Sequence, residues 1–187
     1  MGAASEQPRA GAGGRLLLAA ALGAGIALAL GIYGNVHDPS QELVFDLFFP
    51  STIAMKVWLA SAAVVFALIQ ILLAMWMYGR LPWEAPPWAG DLHRISGRLA
   101  FLVSLPVAYH CLWSLGFQDT DTRVLAHSLL GCAFYGAFAA KVMLVRSKEL
   151  PGIALPIAGG LVFAVLVAAW YTSALWFIDE MGGFPAL

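Results

Sequence analysis

Between Leu16 and Ile178 the chain is cut by short polar segments into five long apolar runs, at about 16–34, 51–78, 94–117, 123–146 and 153–178. A helix rises 1.5 Å per residue, so each run of roughly 20 residues can cross about 30 Å of hydrocarbon. Composition agrees: 61% of the 187 residues are hydrophobic and only 11% are charged. A soluble domain carries about a quarter charged residues to cover its surface. The expected fold is therefore an all-α integral membrane protein, a bundle of five transmembrane helices spanning residues 15–187. The first 14 residues, rich in Gly, Ala and Pro, read as a disordered tail. The run after Arg15 is long enough to span, and no convincing small-residue cleavage site follows it, so it is expected to stay as the first helix.

The connections set the orientation. Arg9, Arg15, Arg80, Arg94, Arg98, Arg146 and Lys148 gather on one side, and His37, Asp38, Glu42, Asp46, Asp119, Asp121, Asp179 and Glu180 on the other, where only Lys56 and Arg123 are basic and lie near the boundary. Basic residues mark the cytoplasmic side. The amino terminus is thus expected inside and the carboxyl terminus outside. Tryptophans cluster near predicted helix ends, as interfacial anchors do. Segment 38–51 places Leu43, Val44, Leu47, Phe48 and Phe49 at helical spacing; it either lies along the outer surface as an amphipathic helix or extends helix two.

A net charge of -1 without any basic tract excludes nucleic acid as a partner. Cys111 and Cys132 fall inside apolar runs without metal-site or haem-attachment spacing. The chemistry-bearing residues are His110 and His127, on either side of the turn QDTDT. Along antiparallel helices they sit about 10 Å before and about 8 Å after that turn, at matching depth. Two neutral imidazoles at one level suit axial ligation of a single b-type haem. Gly131 leaves room for a flat ring on the His127 face, Phe134 and Phe138 continue that face, and Arg123 is placed to pair a propionate. Pro106 is expected to bend helix three below His110. Equally open from the residues alone is a structural or proton-handling pair in the bundle interior, or a pair at the lipid interface. His93 is too far from His110 for the same iron, about 25 Å along the axis, and reads as an interfacial cation. His37 reads as solvated, Lys141 as a snorkelling cation and Gln70 as interhelical glue.

The stretches HRISGRLAFLVSLPVAYHCLW and RVLAHSLLGCAFYGAFAAKV resemble the histidine-bearing helices of the cytochrome b561 and ferric-reductase transmembrane proteins, which share the H-R-x-x-G opening and buried histidines on successive helices. Those families bring four histidines to two haems, whereas here only His110 and His127 are credible ligands. Taken whole, the chain is similar to an uncharacterised family of five-span membrane proteins from actinobacteria. These resemblances imply a multi-pass protein of the bacterial plasma membrane. The leading expectation, carried by the His110–His127 pair, is an electron-transfer subunit rather than a complete enzyme, with a membrane quinol and an extracytoplasmic iron–sulfur or other redox protein as partners. From a different class comes a non-catalytic scaffold or assembly subunit, and behind it a small proton-linked transporter; the latter lacks internal repeats. The expected orientation is checked by reporter fusions: alkaline phosphatase joined after Leu187 is active, and joined in the 147–152 connection it is inactive.

Overall fold

The computed structural model describes residues 11–42, 45–148 and 150–187. Among them the fold is all-helical, with five helices each long and apolar enough to cross a membrane: α1 (Ala12–Val36), α2 (Thr52–Met77), α3 (Ala89–Leu115), α4 (Thr122–Arg146) and α5 (Ala154–Glu180). This is the architecture of a multi-pass membrane protein. The predicted spans agree to within a few residues. The largest differences are the starts of α1 and α3, four and five residues earlier than expected. Most of the predicted tail, residues 1–10, lies outside the described residues. Large apolar side chains such as Leu28, Leu72, Leu102, Leu129 and Leu161 point outward from the bundle. In a lipid solvent that is the low-energy surface.

The end at which the chain begins, with connections 78–88 and 147–153, is called proximal; the end with 37–51, 116–121 and the last residues is called distal. Caps at the distal end are local. Ser51 Oγ accepts from the Ala54 amide at 3.1 Å, and Asp121 Oδ1 accepts from the Val124 amide at 2.9 Å. The segment 38–51 contains no helix among its described residues, and Leu43 and Val44 lie outside them. It neither forms an amphipathic helix there nor extends α2. It folds over the end of α3 instead: the Gln41 amide donates to Ser114 O at 3.1 Å and the Phe45 ring stacks 5.7 Å from Tyr109. Gln41 and Leu47 take positive φ, a conformation that breaks helical continuity.

Three pairings build the bundle: α1 on α4, α2 on α3 and α4 on α5. In lipid, small residues let backbones approach and so strengthen packing. At the α1–α4 crossing Gly23 and Gly136 meet backbone to backbone; a Cβ on Gly136 would fall 2.3 Å from Gly23 O. α2 and α3 are joined near the proximal end by Gln70, whose Nε2 donates to His93 O and to Ser96 Oγ. By contrast, α3 and α4, consecutive in sequence, meet through large side chains. Phe101 stacks on Phe138 at 4.4 Å, and the Tyr135 hydroxyl lies 2.9 Å from the Ser104 hydroxyl. Space is left between these two helices, and the site is there.

Gly136→Ala is expected to destabilise the folded protein by about 1–3 kcal/mol, because overpacking must push the two backbones away from each other. Gly25→Ala, whose Cβ would meet nothing within 4 Å, should leave stability unchanged or raise it by up to about 1 kcal/mol. Denaturation of both variants in detergent measures the difference.

Candidate functional site: a cavity between α3 and α4

A cavity of about 490 Å³ lies in the distal half of the bundle, bounded mainly by α2, α3, α4 and α5. Its wall is mostly apolar, with Phe134, Leu166 and Trp170 among the larger side chains. Trp170 is not an interfacial anchor: its indole N–H donates to Ser61 Oγ at 3.0 Å inside the bundle. Gly131 also lines the space, and a Cβ there would meet nothing within 4 Å.

His127 is the imidazole on this wall. Its Nδ1 lies 3.1 Å from Ala169 O, and a carbonyl only accepts. The ring is thereby fixed as the Nδ1–H tautomer, with the lone pair on Nε2. The Thr172 hydroxyl, 3.4 Å from the same Nδ1, has carbonyl acceptors of its own at 3.0 Å in Ala168 and Ala169, so its proton does not compete. The arrangement is local in origin. α5 passes through a π-helical turn at Tyr171–Leu175, directly after Ala169 and Trp170, and Ala169 O also receives the Ser173 hydroxyl at 2.7 Å. Single π turns recur at functional sites because they displace backbone groups from the regular ladder.

Two cations line the same cavity, Arg123 and Lys56, and the described lining residues include no carboxylate. Arg123 is held in place: Nη1 donates to Thr172 O at 2.9 Å, and its guanidinium sits 3.8 Å above the Trp176 ring, a cation–π contact. Asp121 is at the limit of ion pairing, 4.0 Å away. Lys56 has no hydrogen-bond or ion-pair partner among the described residues. Sequence reasoning alone reads Lys56 as a boundary cation. The signal it lacks is register, since α2 runs antiparallel to α3 and brings Lys56 to the level of His127.

His110 is not on this wall. Ser104, Val107, Ala108 and Cys111 carry the α3 side of the cavity, and at 100° per residue His110 lies more than about 100° round the axis from their mean direction. It is buried, 3% exposed, and neither ring nitrogen has a hydrogen-bond partner among the described residues. Ser114 Oγ, one turn on and 1% exposed, is likewise unpartnered. A π-helical turn, Cys111–Leu115, begins immediately after His110. The expected pair is thus not brought together across the cavity. Pro106 lies inside α3, and Phe138 lines a second, proximal cavity instead. His37 is not free in solvent; its Nε2 is 3.2 Å from Trp113 O and its ring stacks on Tyr33. No group of three or more metal-ligating side chains occurs among the described residues.

These features define a helical membrane protein with a large, half-open cavity carrying a histidine and two cations. The chain belongs to a family of unknown function, DUF6529, whose profile matches residues 16–184. Neither the curated proteins nor the solved structures contain a match.

His110→Leu is expected to preserve or raise thermal stability in detergent, because it replaces a buried imidazole that has no partner. A fall of several degrees in the melting temperature would instead mean that the imidazole is held by contacts worth keeping.

Proposed function

We propose that the protein is a membrane-embedded electron-transfer subunit of a redox complex, holding one b-type haem in the distal cavity. The observation that carries this reading is the His127 imidazole, tied by Nδ1–H to Ala169 O, with its Nε2 lone pair unengaged on the wall of a large apolar space. A haem-ligating histidine needs that tautomer, with its other nitrogen oriented by a neighbouring acceptor. The donor set also fits the group's periphery: Arg123 and Lys56 offer two cations for two carboxylates, and Gly131 presents no side chain to a flat ring. When bound, haem supplies one-electron chemistry. The chain supplies ligand, packing and charge.

In this reading the distal end faces outside the bacterial plasma membrane, as the basic residues at the proximal end favour, and an extracytoplasmic redox protein is the acceptor. His127 is the iron ligand. A bis-histidine site would need α3 to turn His110 into the cavity by more than about 100°, whereas His127 already stands on the cavity wall. A second reading, a non-catalytic scaffold subunit, is favoured by His110 itself, which stands buried away from the cavity as a packing residue would.

The test is a dithionite-reduced minus oxidised visible spectrum of the purified protein, with a pyridine haemochrome assay for stoichiometry. Expected are b-type bands at one haem per chain, abolished in a folded His127→Leu protein and retained in His110→Leu. A colourless, folded protein expressed with haem available would overturn the haem reading and leave the scaffold.

A further inference from the structure

A second cavity, about 200 Å³, lies in the proximal half of the bundle between α2, α3, α4 and α5. Its polar groups come from three helices and share one level. His93 is four residues inside the start of α3, Lys141 five inside the end of α4, and Gln70 seven inside the end of α2. At 1.5 Å per residue they stand about 6–10 Å below the helix ends. Gln70 is fixed by its bonds to His93 O and Ser96 Oγ, and Gly97 gives its amide room, since a Cβ there would fall 2.8 Å from Oε1. Lys141 has no ion-pair or hydrogen-bond partner among the described residues, and no carboxylate is among those lining the cavity. His93 Nδ1 is buried and also has no partner there. A cation and an imidazole at membrane depth are costly to leave without acceptors, and such groups mark binding sites by default.

The walls are flat and apolar. Phe101 and Phe138, stacked within 13° of parallel, form one. Gly159 and Gly160 contribute to another, and Cβ atoms on either would meet nothing within 4 Å. Val145 and Tyr78, exposed at the proximal ends of their helices, and Gly160, exposed six residues inside α5, belong to the rim, so the space is open at the proximal end and also on the flank of the bundle at Gly160.

We propose that this proximal cavity binds the headgroup of a membrane quinone. A quinone offers what these groups lack: carbonyl oxygens to accept from Lys141 and His93, a planar ring for the Phe101–Phe138 wall, and an apolar tail to leave through the rim. A phospholipid phosphate fits less well: it carries a full negative charge that a single lysine must meet, and it brings no planar ring to the Phe101–Phe138 wall. The inference deepens the redox reading of the protein and rests on it for its purpose, though not for its binding chemistry. Phe134 and Leu166 line both cavities, so the two spaces are divided by side chains that each of them touches.

The experiment is calorimetric titration of the full-length protein, in phosphatidylcholine nanodiscs, with a short-chain menaquinone. Binding is expected to be saturable, weakened about tenfold or more in Lys141→Met and in His93→Leu, and unchanged in His127→Leu. Gly159→Leu, which fills the slot without touching a polar group, should abolish it, so the proposal stays open to test if Lys141→Met fails to fold. Absence of saturable binding, equal affinity in all the proximal variants, or loss in His127→Leu overturns the proposal. So does displacement of the quinone by nanodiscs containing phosphatidylglycerol, which identifies a lipid phosphate site. The titration reads no haem: a colourless protein that binds quinone overturns the haem reading alone, and a pigmented one that does not bind overturns this inference alone.

Discussion

Inside hydrocarbon every backbone N–H and C=O must find its partner within the protein, and this requirement orders the whole chain. It makes each apolar run a helix, and it makes any departure from the regular ladder conspicuous. Among the described residues two such departures are the π-helical turns at Cys111–Leu115 and Tyr171–Leu175, and both flank the distal cavity. The second stands beside Ala169, whose carbonyl gathers His127, Thr172 and Ser173. An irregularity of backbone at this depth is tolerated where side chains can occupy the displaced groups. Here those side chains also fix the tautomer of the cavity's imidazole.

The cavity itself follows from an asymmetry of residue size. Between α1 and α4 the contact is made by Gly23 and Gly136, and the backbones close to van der Waals distance. Between α3 and α4 the contact is made by Phe101, Tyr135 and Phe138, and the backbones are propped apart. Close packing on one side of α4 and propping on the other opens a space without leaving the helix unsupported. The turn that joins α3 to α4 accommodates this. Gly116 takes φ 71°, and its Cβ position would fall 2.9 Å from Gly34 O, so only glycine lets the chain pass this close to α1. The next residue, Phe117, donates its amide to that same carbonyl at 2.7 Å.

The helices are legible in the sequence because the bilayer imposes one length and one polarity on each. The site is only partly so. His127, Arg123 and Gly131 share a face by the simple rule that residues four apart on a helix stack, and all three line the cavity. Whether His110 joins them depends on which way α3 is turned. Turn QDTDT sets the depth of a residue but not its azimuth, and the pairing of α3 with α2 decides the azimuth. Lys56 and the Gln70–His93–Lys141 level are hidden for the same reason, since each depends on contacts between helices distant in sequence. Reading His93 and Lys141 as separate interfacial cations misses that antiparallel helices bring them to one depth.

Charge placement carries the remaining synthesis. Each cavity is lined by basic groups and by no described carboxylate: Arg123 and Lys56 at the distal one, Lys141 and His93 at the proximal one. A lysine left without a partner in a membrane bundle lowers its stability, so a packing role alone gives no reason to keep Lys56 on one cavity wall and Lys141 on the other. Apolar residues of similar volume would fill either space at less cost. Oxygen-bearing ligands change that balance, since each acceptor they bring offsets the desolvation of a group already held in position. An acidic partner residue would neutralise the same cations permanently and close both cavities to such ligands. The absence of carboxylates among the described lining residues is therefore the feature most simply explained by occupants that carry their own oxygens.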